Sequence, residues 1–184
     1  MSKNKYIVNL LFAGLVVFLI IGTGQLILNS ENLYGVNDIG PYMLPANEWV
    51  SSEFVGSLRN LISLSFIYSL IALIMCVLSF IVLDIVWNSE KKTGKIIKSI
   101  IQIVSNNVIA VMLYLLFDTH GRFQSRMLNT NNNFYSVSLA RDAQGLLFIP
   151  IICLVAILLI TIPLSIINLI NSLKDIERQK IMSQ

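Results

Sequence analysis

The chain has 184 residues, 55% of them hydrophobic and 12% charged, with a net charge of +3 and a mean hydropathy of +0.76. A soluble domain carries about a quarter charged residues, so this chain lacks the polar surface needed to cover an apolar core in water. A hydrocarbon bilayer is the solvent that fits the composition.

The first long uncharged run covers residues 7–28, with Lys3 and Lys5 before it. A cleavable signal has an apolar run of roughly 7 to 15 residues and a small-residue cleavage site. No Ala-x-Ala follows Leu28, so the run reads as a retained anchor. In the outer loop, 29–60, Gly35, Gly40, Pro41 and Pro45 predict turns and no continuous helix through the first half. Asn47 is an N-cap candidate after Pro45. Val50, Phe54 and Leu58 recur at four-residue intervals and predict a short interfacial helix leading into the second span, with Glu48, Glu53 and Arg59 toward water.

The second run, 61–83, carries Ser65, Ser69, Ala72, Cys76 and Ser79 at spacings of 4, 3, 4 and 3, a left-handed heptad stripe of small residues. A short inner loop follows, holding Lys91, Lys92, Lys95 and Lys98, with Asp84 expected at the interface beside Trp87 and paired with Lys91 or Lys92. In the third run, 99–117, Ser99, Gln102, Asn106 and Ala110 fall within about 80° of one another on a helix. The second outer loop, 118–145, contains a solvated Asp118, the lone His120, three arginines (Arg122, Arg126 and Arg141) and a polar tract from Asn129 to Asn133. The fourth run, 146–170, contains Pro150 and Pro163, which predict kinks or a broken hydrogen-bond ladder.

A helix rising about 1.5 Å per residue needs roughly 20 residues to cross a hydrocarbon core of about 30 Å, and each run reaches or approaches that length. The expected fold is an all-α membrane protein, a four-helix transmembrane bundle forming a single four-span domain over 1–184. Four spans put both termini on one side. If that side is cytoplasmic it holds nine of the thirteen Lys and Arg residues, including all eight lysines, and only Arg59, Arg122, Arg126 and Arg141 face out. The positive-inside rule therefore places both termini in the cytoplasm. The lysine loop can attract anionic lipid, worth about 1 kcal/mol per basic residue. It lacks the aromatic platform of a nucleic-acid site, so no nucleic-acid partner is expected.

Cys76 and Cys153 lie within spans and read as packing residues, with no C-x-x-C to suggest disulfide exchange. One histidine cannot supply a bis-histidine haem or a metal cluster, so no cofactor is expected. Hydrolase, P-loop and metalloprotease motifs are all absent, and the spans contain no Asp, Glu, Lys, Arg or His, which argues against an enzyme and against proton-coupled transport. What remains is polar and small. Apolar burial cannot join helices in lipid, so close contacts between small residues and hydrogen bonds between amides must do it, either within the bundle or toward an inserted partner.

The overall plan resembles the immunity proteins of pore-forming colicins of the colicin A type. The likeness rests on length, span order, two polar outer loops and a basic tail. The most local match has Tyr114, Leu115, Leu116 and Phe117 closing the third span, an arginine-containing segment, and Asp142-Ala143 ahead of Leu146, Leu147 and Phe148. The first loop, with its glycines and prolines, and the Asp175/Glu177 pair in the tail depart from that pattern. The resemblance implies a bacterial inner-membrane protein that meets the inserted hairpin of a toxin's pore-forming domain by lateral diffusion and prevents channel opening. The partner-binding candidates are Ser65, Ser69, Ala72, Gln102 and Asn106 within the bilayer, supported outside by Arg122, Arg126, Arg141 and Asp142. Two other roles fit the same residues: a small accessory subunit of a transport or secretion complex, and a holin-like pore.

Overall fold

The structure, a computed structural model, describes residues 3–38, 52–87, 92–129 and 134–182, and all of these are helical. The helices are α1 (Lys3–Asp38), α2 (Ser52–Trp87), α3 (Lys92–Asn129) and α4 (Phe134–Met182). Three contain segments long and apolar enough to cross a membrane, Gly56–Ser79, Ser99–Arg126 and Ala143–Asn171, and α1 carries a shorter apolar stretch, Leu10–Leu26. The chain is a membrane protein by this criterion. The 49 residues of α4 would extend about 74 Å at the α-helical rise, far more than a hydrocarbon core requires.

The helices outrun the hydropathy on which the loops were expected. Residues 29–38, Gly35 included, belong to α1, while Gly40, Pro41 and Pro45 lie outside the described residues. Asn47 and Val50 lie outside the described residues. Residues 52–60 are the first turns of α2, so the helix expected to lead into the second span is continuous with it, and Arg59 there is half-buried rather than turned to water. Most of the second outer loop is also helix, because α3 runs on to Asn129 and α4 begins at Phe134. Arg122, Gln124, Arg126, Met127 and Leu128 are good helix formers, and loss of hydropathy marks where lipid ends, not where the backbone ladder ends. α4 is continuous through Pro150 and Pro163, so the expected break does not occur. Each proline removes a single donor, and neighbouring helices and Ser/Thr hydroxyls allow transmembrane helices to tolerate that loss.

α2 and α3 share the most extensive interface; α3 also packs on α4, α4 on α1, and α1 on α2, with α2 touching α4 across the middle. One apolar cluster joins Phe12 and Leu19 to Ala72, Cys76, Ile109, Leu116 and Leu154. A second joins Leu26 of α1, Leu58 and Ile62 of α2, Phe123 of α3 and Leu147 of α4. The C-terminal parts of α1 and α3 thus meet the N-terminal parts of α2 and α4, so sequence neighbours run antiparallel. One end carries the α2–α3 connection with its lysines and is called the lysine end. The opposite end carries Arg122 and Arg126.

Polarity is inverted relative to a soluble protein. Leu10, Phe18, Ile74, Phe148, Ile152 and Leu159 are exposed, while Ser65, Ser69, Gln102, Asn106, Thr161 and Ser165 are buried. Such an exterior has no counterpart on monomers that live in water. In α1, a Cβ built on Gly22 would lie 2.9 Å from Ile149 Cγ2 and 3.0 Å from Pro150 Cδ, so only glycine allows this approach of α1 to α4.

Candidate functional site

The small stripe on α2 lies wholly inside. Ser65, Ser69, Ala72 and Cys76 show no exposure above 0% and Ser79 only 3%, so all five heptad positions face protein. Small side chains let neighbouring helices approach closely, which is the main source of helix adhesion in lipid. The Ser65, Ser69 and Ser79 hydroxyls have no hydrogen-bond partner, so they contribute shape rather than bonding. Cys76 and Cys153 are buried free thiols.

The polar stripe on α3 is buried at Ser99, Gln102 and Asn106, but continues into Ser105 and Ile109; Ala110 is exposed rather than facing protein. Its hydrogen bonds cross to α4. Asn106 Nδ2 donates to Ser165 Oγ at 3.4 Å, and Ser165 Oγ donates to the Ile162 carbonyl at 2.8 Å. Asn168 Nδ2 donates to Gln102 Oε1, also at 3.4 Å. Both cross-helix bonds are longer than the usual 2.9–3.0 Å for N–H···O, so they align the helices more than they clamp them. One donor, Gln102 Nε2, and one acceptor, Asn106 Oδ1, stay buried without partners one turn apart. An orphaned buried polar atom costs about 1–3 kcal/mol.

These α4 partners were not among the residues singled out from sequence. Their signal was present: Thr161, Ser165 and Asn168 follow spacings of 4 and 3 within an otherwise apolar run. Thr161 is also buried, with Oγ1 donating to the Ile157 carbonyl at 2.9 Å. Gly22 was missed too, although Gly22-Thr23-Gly24 interrupts an apolar span and Thr23 Oγ1 folds back onto the Leu19 carbonyl at 2.8 Å.

The arginine end differs. α2 and α3 line a cleft of about 240 Å³ there. α2 contributes Ser57, Asn60 and Tyr68 to its walls, and α3 contributes Asp118, Thr119, Arg122 and Arg126. Its floor includes Leu61 and Phe123, both of which belong to the second apolar cluster. Arg122 Nη2 lies 2.8 Å from Asp118 Oδ2 in an i,i+4 pair whose arginine side chain is 75% exposed and whose aspartate is 30% exposed. Asp118 is therefore not a freely solvated loop residue; it holds one wall of the cleft. His120 is half-buried, with a buried Nδ1 that has no hydrogen-bond partner.

Of the expected partner contacts, Ser65, Ser69, Ala72, Gln102 and Asn106 are thus inside the chain, while Arg122, Arg126 and Arg141 are exposed. Arg122 and Arg126 share the cleft. The side chains of Asp142, Asp84 and the four loop lysines lie outside the described ones. Among the described residues no group of three or more His, Cys, Asp or Glu gathers as a metal site. No family model, no curated protein and no solved structure matches the chain.

Proposed function

We infer that the chain is an immunity protein that binds the membrane-inserted pore-forming domain of a colicin-type toxin and prevents its channel from opening. In this reading it is a four-span bundle in the bacterial inner membrane with both termini cytoplasmic. The observation that carries the reading is the α3–α4 seam. An intramembrane interface is joined by two long amide bonds and leaves one donor and one acceptor unsatisfied one turn apart. A helical hairpin arriving laterally brings side-chain and terminal backbone groups that can satisfy both atoms, and the long bonds offer little resistance to opening. Lipid cannot compete, because its tails offer no hydrogen bonds. The small stripe on α2 then serves as the rigid wall, and the exposed Arg122, Arg126 and Arg141 discriminate among toxins at the surface.

The experiment expresses the chain alone in sensitive bacteria and challenges them with a panel of pore-forming and nuclease toxins. Survival against one pore former and death by the nucleases is the expected result. Equal sensitivity to every member rejects the proposal for that panel. Depolarisation on expression alone would favour the holin-like pore, and stable co-purification with a larger assembly the accessory subunit. Against the toxin that is resisted, Asn106→Leu and Arg141→Ala are each expected to weaken protection at unchanged protein level.

A further inference from the structure

We propose that the outward face of α3 is the interface through which two copies of this chain pair in the membrane, with Asn107 of each copy hydrogen-bonded to Asn107 of the other. Asn107 faces a solvent that cannot serve it. It is exposed on α3, eight residues after Ser99 and ten before Phe117, which at about 1.5 Å per residue puts it near the middle of a hydrocarbon core of about 30 Å. Among the described residues of the apolar runs it is the one exposed carboxamide: Gln102 and Asn106 are buried, and Gln25 and Asn168 half-buried. Asn107 Nδ2 donates to the Ile103 carbonyl at 3.0 Å. A carboxamide has two donor hydrogens and an acceptor oxygen, so this bond leaves one hydrogen and Oδ1 for a partner that lipid tails cannot supply.

The residues around it form a seam. Ile100, Val104, Asn107, Val111 and Tyr114 are all exposed and follow spacings of 4, 3, 4 and 3. On a helix they fall within about 80° of one another, the heptad stripe along which two helices pack at a shallow left-handed crossing. Exposed Ala110 borders Asn107 one turn on and lets a second backbone come close. Among the described residues α3 packs on α2 and α4 and makes no contact with α1, so no described part of the chain covers this stripe. It points away from Gln102 and Asn106, which lie roughly 140° around the helix. Pairing therefore leaves the α3–α4 seam free and does not rest on the immunity reading.

The occupant follows from the chemistry of the amide. Copies in one membrane share one topology, so a twofold axis along the membrane normal sets a residue near the axis opposite its own counterpart at the same depth. A charged side chain would meet its like there, but a carboxamide is self-complementary, and two of them can exchange N–H···O bonds in both directions. The second hydrogen and Oδ1 are thereby satisfied while Nδ2 stays on the Ile103 carbonyl. A different protein would have to carry a matching polar group at this depth and bearing, whereas a second copy brings one by symmetry.

The test is made in the membranes of bacteria that express the full chain with Cys76→Ala and Cys153→Ala. Single replacements Val104→Cys and Val111→Cys are oxidised with copper phenanthroline, beside Ile74→Cys on α2 and Leu159→Cys on α4, which are exposed positions off the seam. Positions 104 and 111 should give disulfide-linked species of twice the chain mass, and positions 74 and 159 should not. In mixed micelles, the dimer dissociation constant from sedimentation equilibrium should rise about tenfold for Asn107→Leu, as the loss of two interhelical hydrogen bonds implies, and stay within about threefold of wild type for Asn107→Gln. Equal crosslinking at all four positions, products of another mass in place of the doubled chain, a wild type that is monomeric at every protein-to-detergent ratio, or an unchanged constant for Asn107→Leu would each overturn the proposal.

Discussion

The two ends of the molecule solve the same problem in opposite ways. At the lysine end, polar groups lie within the apolar thickness and are turned inward: Gln102, Asn106, Ser165 and Asn168 meet between α3 and α4. At the arginine end, apolar residues take the interior, with Leu58, Leu61, Phe123 and Leu147 packed together, and the polar groups line an open cleft. The difference follows from the solvent available. An amide facing lipid finds only its own backbone to bond with, as the exposed Asn107 does in donating to the Ile103 carbonyl at 3.0 Å, whereas an arginine near the interface can reach water or head groups. The lysine end therefore carries its polarity between helices, and the arginine end carries polarity that reaches the surface, as the exposed Arg122 does.

The contrast can be broken at the contact that holds α1 against α4. Gly22→Leu should have the largest effect, because even its Cβ would fall 2.9 Å from Ile149 Cγ2. Overpacking of this kind costs about 1–3 kcal/mol, read as a lower midpoint for unfolding in mixed micelles. Gly14→Ala, which meets nothing within 4 Å, should hold or raise that midpoint. Equal destabilisation by both would mean that α1 does not approach Pro150.

A smaller effect sharpens the lysine end. Asn106→Leu and Ser165→Ala, singly and together, should show a coupling of about 0.6 kcal/mol, the usual size of an interhelical hydrogen bond in a membrane protein. A coupling of zero would mean that the amide seam is joined by shape alone. The smallest effect belongs to the arginine end. Arg122→Gln should leave the unfolding midpoint unchanged, since an exposed i,i+4 pair contributes little to stability. A clear drop would give the ion pair a structural role and remove the distinction between the ends.

Much of this contrast could be read from the chain before its fold. The α2 stripe needed only spacing, and each of its five positions is buried. The α3 stripe was legible through Asn106 and then drifted, because a face that advances by three and four residues reaches Ile109 and not Ala110. Which neighbour the amides meet was not legible. Periodicity identifies the face of a helix that is buried and carries no information about its partner, so Ser165 and Asn168 were overlooked beside the more conspicuous Pro163. The arginine end was obscured for another reason. Arg122 and Arg126 read as loop because they are charged, yet they extend α3 at a four-residue spacing that also brings Asp118 onto the same face.

Accessibility tests the closed seam and the open cleft in one measurement. In a chain with Cys76→Ala and Cys153→Ala, single replacements Gln102→Cys and Arg122→Cys are each treated with a water-soluble maleimide in detergent, where both ends are reachable. The account predicts rapid labelling at position 122 and protection at position 102 until the protein is denatured. Rapid labelling at position 102 in the folded protein, or protection at position 122, would contradict it.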